Sequence, residues 1–156
     1  MAKELSALLR QGGIYYDLPG RQPKEALAAL VNAVPPAANK EQLLKAVLER
    51  EELMPTAMGN GIALPHPRNP VITDEASQFA ALAFTKTPID WGALDGKSIT
   101  AIMLIVSASA KLHLSSLQRI TFFCRDEGFA RLLERCAPAE EILGYIEKTE
   151  SAWTEH

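Results

Sequence analysis

Residues Ile99 to Val106 read ITAIMLIV, an apolar run interrupted only by Thr100. A strand that is apolar on both faces belongs inside a sheet that is covered on both sides. The run is too short to cross a bilayer. Gln78 to Thr85 (QFAALAFT) reads as a second strand. The rest of the chain must therefore supply the covering layers, and its periodicity does so. A helix is expected over residues 3–11. Pro23 suits the first turn of a second, where its missing N–H would be unpaired anyway, with Leu27, Leu30, Val31 and Val34 at helical spacing. Asn39 can cap a third, with Gln42 three residues on. That helix carries Leu43, Leu44, Val47 and Leu48 on one face and should end before Pro55.

Three more helices are expected after the central strand. One starts near His113 with Leu114, Leu117 and Ile120 on one face. The next carries Phe129, Leu132, Leu133 and Cys136. The last has Pro138 in its first turn and Ile142, Leu143 and Ile146 inside. The fold class is α/β, a single domain with a small mixed sheet flanked by helices on both sides. The domain spans residues 1–156, with its core over about 5–147. The only linker-like stretch, Pro35-Pro36-Ala37-Ala38, is too short to separate domains. A chain of 156 residues can bury roughly 70% of its unfolded surface, so it needs no staple.

Composition excludes several classes. Hydrophobic residues at 47% and charged residues at 22% speak against a disordered or fibrous chain. A net charge of −3 speaks against a nucleic-acid binder. The start, MAKELSALLRQGGIYY, lacks the pattern of a secretory signal, so the cytoplasm is the expected compartment. Cys124 and Cys136 each fall on an apolar helix stripe and read as buried free thiols, with a disulfide or redox role as the alternative. His156 is terminal and is expected to be disordered.

Chemistry concentrates in the segment Gly59-Asn60-Gly61-Ile62-Ala63-Leu64-Pro65-His66-Pro67-Arg68. It reads as a short strand entering a stiff, irregular loop. Prolines on both sides of His66 can hold its imidazole in one orientation. His113, at the start of a helix, would feel unpaired N–H groups and the positive dipole end, which favour an anion and keep the ring neutral. Arg50 lies 16 residues before His66, near the end of the third helix. Its plainer role is a solvated helix-end cation, and each histidine could equally be structural. Pro88 to Lys97 reads as turn-rich, with a tight turn at Asp95-Gly96.

In order and spacing these motifs resemble enzyme IIA of the bacterial phosphoenolpyruvate-dependent phosphotransferase system, the fructose/mannitol/nitrogen-regulatory branch. The resemblance rests on Arg50-Glu51, Thr56, Gly59 to His66, Pro88-Ile89-Asp90-Trp91, Asp95-Gly96-Lys97 and His113-Leu114, 47 residues after His66. It covers about Leu5 to Ile146. It implies the phosphotransferase/anion transport protein-like fold. It implies phosphorylation of His66 on Nε2, a partner role for His113 and charge neutralisation by Arg50. It also implies a Thr56 hydroxyl bonding a phosphate oxygen. One departure is Pro67, where many members carry glycine. Proline restricts the loop and would narrow partner choice, yet leaves the imidazole free.

A neutral imidazole is a nucleophile near pH 7. Phosphoryl transfer to it depends mainly on positioning and on stabilising charge on the equatorial oxygens. The resemblance implies no cofactor, and two histidines fall short of a Zn²⁺ ligand set. A phosphoramidate hydrolyses readily, so the site is expected in a shallow apolar depression, with Ile62, Leu64, Met58 and Leu112 as rim candidates. The implied donor is the phosphocarrier HPr or a nitrogen-branch equivalent. The acceptor is an enzyme IIB domain or a regulatory target protein. No IIB cysteine motif or membrane segment follows in this chain, which favours the nitrogen-type regulatory reading over free-standing sugar uptake. A binding module without phosphorylation is the third reading.

Overall fold

A computed structural model describes residues 4–35 and 39–154. The expected Pro35–Ala38 linker lies largely outside these residues, and His156 lies wholly outside them. In chain order the elements are α1 (Leu5–Gly12), β1 (Ile14–Leu18), α2 (Pro23–Ala33), α3 (Lys40–Leu53), β2 (Ala57–Gly59) and β3 (Ile62–Ala63). After a 3₁₀ turn at Glu75–Ser77 come β4 (Phe79–Ile89), β5 (Ile99–Val106), α4 (Ala110–Arg125), α5 (Glu127–Glu134) and α6 (Ala139–Thr154). Among the described residues no helix is long and apolar enough to cross a membrane.

The strands form one mixed sheet in the order β1-β4-β5-β3-β2. β1 runs parallel to β4, β4 antiparallel to β5, and β5 parallel to β3. As the apolar run requires, β5 is central, and its alternate residues feed two separate cores. Ala101, Met103 and Ile105 join Ala80, Leu82 and Phe84 of β4 against α1, α4, α5 and α6. Ile102, Leu104 and Val106 join Phe79, Ala81 and Ala83 against α2 and α3. This is the period-2 alternation of strands, with both faces buried.

Several details depart from the sequence reading. β4 continues to Ile89, into the stretch read as turn-rich, because Ile89 pairs with Ile99 and is fully buried. The Asp95-Gly96 turn is present, closed by Gly96 N–H donating to Ala93 O at 3.0 Å. β1 is an edge strand with a register shift and Asp17 at positive φ, which blurs its alternation. At the end of α1, a Cβ on Gly12 would lie 2.0 Å from Ala80 O, so only glycine lets this helix end reach β4.

The segment read as a short strand entering an irregular loop holds that strand as β3, paired with β2 in a hairpin. Asn60 (φ 56) and Gly61 (φ 82) turn β2 into β3, the type I′ preference of Asn-Gly. Cys136 is exposed rather than on an apolar stripe. It follows α5 in left-handed conformation, with Cys136 N–H bonding Leu133 O and Ala137 N–H bonding Leu132 O, a Schellman cap. Cys124 is partly buried, and burial pushes its thiol up to about 11. Both thiols are free. Leu114 is exposed, so the buried face of α4 is set by Ser116, Ile120 and Phe123. α6 begins just after Pro138 and runs on to pack Trp153 on the core, beyond the expected limit at 147.

Candidate active site

β3 and β5 run parallel, so their carboxyl ends lie at one edge of the sheet, where α/β folds place ligand sites. His66 follows β3, and α4 with His113 follows β5. The chain after β3 stays tied to the sheet, since Ile105 N–H donates to Pro65 O at 3.1 Å. Beyond His66, Arg68 N–H donates to Ala46 O of α3 at 3.2 Å. His66 is thus fastened on both sides by its backbone, which is the rigidity its flanking prolines lead one to expect.

The two histidine rings face each other, with centroids 4.6 Å apart and planes inclined by 37°. His66 Nδ1 lies 3.0 Å from Leu64 O. A carbonyl oxygen only accepts, so Nδ1 carries the proton and Nε2 keeps its lone pair. Burial lowers the His66 pKa, and the charge on Arg50 lowers it further; the Leu64 hydrogen bond and Glu51 act in the opposite sense. The His113 pKa is pushed down to about 4, first by burial and then by His66 and Arg50. Both rings are therefore neutral at pH 7.

Burial is the first cause of the lowered His113 pKa, beside the helix start that the sequence led one to expect. α4 starts at Ala110, and the Ser109 hydroxyl caps Leu112 N–H at 3.2 Å. His113 N–H already donates to Ser109 O at 3.0 Å. His113 thus sits one turn inside the helix, and the unpaired N–H groups precede it. Arg50 is partly buried in the last turn of α3, with Nη1 donating to Met54 O at 2.8 Å. Its charge reaches both rings.

Thr56 is buried, and its hydroxyl donates to Glu51 Oε1 at 2.7 Å. In this structure the hydroxyl hydrogen expected to reach a phosphate is held by Glu51. Glu51 also receives Thr56 N–H and Trp91 Nε1 on Oε2. Sequence reasoning quoted Glu51 and Trp91 within motifs but gave them no task, because nothing local joins residues 40 apart. Of the rim candidates, Ile62 and Leu64 are core residues, 5% and 2% exposed. Leu112 is partly buried, while Met58 is exposed. Leu53, Met54 and Leu114, next to Arg50 and His113 in sequence, are also exposed apolar residues. Among the described residues no three His, Cys, Asp or Glu side chains converge as a metal centre would require.

A nitrogen regulatory protein of Pseudomonas aeruginosa is 30% identical over 147 residues, covering 91% of this chain and 93% of the relative. The mannitol-specific phosphotransferase enzyme IIA component of Staphylococcus aureus is 25% identical over 148 residues, covering 94% and 100%. The crystal structure of nitrogen regulatory protein IIA-Ntr from Neisseria meningitidis superposes with a TM-score of 0.75 at 22% identity, covering 85% of this chain and 92% of that one. The Escherichia coli complex of enzyme IIAMTL and phosphorylated enzyme IIBMTL gives 0.67 at 19% identity, covering 86% and 94%. The family model described as "Phosphoenolpyruvate-dependent sugar phosphotransferase system, EIIA 2" matches residues 8–149, and the chain belongs to that family.

Proposed function

We propose that this protein is a histidine phosphocarrier that accepts a phosphoryl group on His66 Nε2. The observation that carries the reading is the pairing of the Leu64 carbonyl with Nδ1 beside the His113 ring. It leaves Nε2 as the free nucleophilic nitrogen. In the step, the Nε2 lone pair forms a bond to phosphorus as the donor's P–N bond breaks. The electron pair of that bond leaves on the donor imidazole. Nδ1 keeps its proton, so the His66 ring gains positive charge. Leu64 O and Glu51, the two influences that raise its pKa, stabilise that charge. Arg50 stabilises the phosphoryl oxygens, and neutral His113 donates one N–H to them.

The donor is HPr or a nitrogen-branch equivalent. The nitrogen-type regulatory role is supported by the Pseudomonas nitrogen regulatory protein, matched over nine-tenths of both chains. On this reading the phosphorylation state governs binding to target proteins. The mannitol enzyme IIA relative and the fold neighbour bound to a phosphorylated enzyme IIB favour a second reading, sugar uptake through an enzyme IIB acceptor.

Intact mass after incubation with phosphoenolpyruvate, enzyme I and HPr tests the proposal. A gain of one phosphoryl mass, absent in His66→Ala, is the expected result. No gain with either HPr or a nitrogen-branch donor pair, each itself phosphorylated, would leave a binding module without phosphorylation. Enzyme IIB added after labelling separates the roles, because only an uptake component passes the group on to it.

A further inference from the structure

A chain of hydrogen bonds starts at Glu51 and ends on the His66 ring. Glu51 lies beside Arg50 near the end of α3. Its Oε2 accepts Thr56 N–H at 2.6 Å and Trp91 Nε1 at 3.0 Å, and its Oε1 accepts the Thr56 hydroxyl at 2.7 Å. Both donor residues are buried. Thr56 O then accepts Leu64 N–H at 3.0 Å. On the other side of the same residue, Leu64 O accepts His66 Nδ1 at 3.0 Å. The carboxylate thus joins α3, the segment leaving β4 and the segment entering β2, whose Thr56 carbonyl holds Leu64.

We propose that Glu51 is a positioning residue for phosphoryl acceptance: it fixes Thr56, through Thr56 the Leu64 carbonyl, and so the His66 ring with Nδ1 protonated and Nε2 free. The proposal rests on His66 being the acceptor. Glu51 touches no phosphoryl group and positions the ring through the Thr56 and Leu64 carbonyls. It also fixes the far end of the short segment 54–56, whose near end, Met54 O, holds Arg50. A carboxylate suits the task because it is acceptor-only and has lone pairs enough for three donors. Its charge adds a second effect. Among the charged and titratable groups acting on His66, Arg50 and Glu51 come from α3 and His113 from α4; of these, Glu51 favours a positive ring.

The test uses the full chain and three variants. Glu51→Met removes every acceptor at similar length. Glu51→Gln keeps one carbonyl oxygen for the two N–H donors and turns its NH₂ toward the Thr56 oxygen, so the links persist without charge. Thr56→Val removes the hydroxyl link alone. Initial rates of phosphoryl acceptance come from intact mass with phosphoenolpyruvate, enzyme I and HPr. ¹⁵N NMR of the imidazole nitrogens reports the His66 tautomer without any donor, and circular dichroism confirms folding at the assay temperature.

Glu51→Met is expected to lose on the order of 10²-fold in rate and to populate the Nε2–H tautomer. Glu51→Gln should recover the Nδ1–H tautomer and a rate within about tenfold of wild type. A folded Glu51→Met variant with wild-type tautomer and rate overturns the proposal. If that variant does not fold, Thr56→Val decides. A shifted tautomer supports the chain of contacts, whereas a tautomer identical to wild type overturns it, and a rate loss alongside would assign the hydroxyl to the phosphate. Wild type that takes up no phosphoryl group sinks the acceptor reading itself, while the tautomer comparison still decides whether Glu51 sets the ring.

Discussion

Glu51 and Glu150 each gather hydrogen-bond donors from distant parts of the chain, and they differ in what lies beside them. Glu150, on α6, is 1% exposed. It accepts Leu5 N–H at 2.7 Å, Ser6 N–H at 3.1 Å, the Ser6 hydroxyl at 2.9 Å and Arg119 Nη1 at 2.9 Å. α1 lacks a side-chain cap from its own N-cap residue, Glu4. Glu150 supplies that cap from the far end of the chain and complements the helix dipole. Glu51 uses the same acceptor chemistry in a partly buried place, and its contacts run toward two neutral histidines and an arginine. The same device clamps three helices in one region and, in the proposed function, orients the His66 ring in the other.

This contrast predicts that function and stability separate on mutation. The largest effect should come from His66→Ala, which abolishes phosphoryl acceptance and shifts the melting temperature by no more than a few degrees, about what a half-exposed side chain warrants. Full labelling of that variant would erase the distinction, since the site would then lie elsewhere. Glu150→Ala should do the reverse. Leaving Arg119 and two helix-end N–H groups without their acceptor costs about 3–5 kcal/mol, a fall in melting temperature of roughly 10 °C. Below that temperature its acceptance rate should match wild type, and thermal scans paired with intact mass check both halves.

A smaller but decisive effect belongs to Arg50→Ala. It should slow acceptance by about 10²–10³-fold, with Arg50→Lys recovering part of the loss because the charge returns without the planar fork. A rate within twofold of wild type would reduce Arg50 to a helix-end cation.

The mildest prediction concerns pH. The folded state holds His113 neutral down to about 4, whereas the unfolded chain takes up that proton near 6.5. The stabilising contribution of the neutral ring is therefore complete above pH 6.5 and is lost as pH falls from there toward 4. Denaturant unfolding across that range should show a shallower acid decline in His113→Asn. Equal slopes for the two proteins would mean the ring titrates normally in the fold.

The two regions were unequally legible in the sequence. His66 and Arg50 stood out because prolines, glycines and helix periodicity frame them locally. The Asn60-Gly61 turn carried a hairpin signal of the same local kind, masked by the prolines that follow. α4, expected to start near His113, starts three residues earlier at Ala110, where Ser109 caps it. Glu150 has no local signature, for its donors include residue 5, and Glu51 meets Thr56 five residues on but Trp91 only across 40 residues. β1 escaped notice because an edge strand with a left-handed residue need not alternate.

By itself the sequence determined the layered α/β plan, since an apolar strand and amphipathic helices can bury their surfaces in few other ways. It also determined which residues could be reactive. Tertiary structure alone decided that the His66 and His113 rings meet, that burial lowers the His113 pKa, and that the Thr56 hydroxyl points to Glu51. Those outcomes depend on contacts between residues remote in the chain, and periodicity records only which face a residue occupies, not what it meets there.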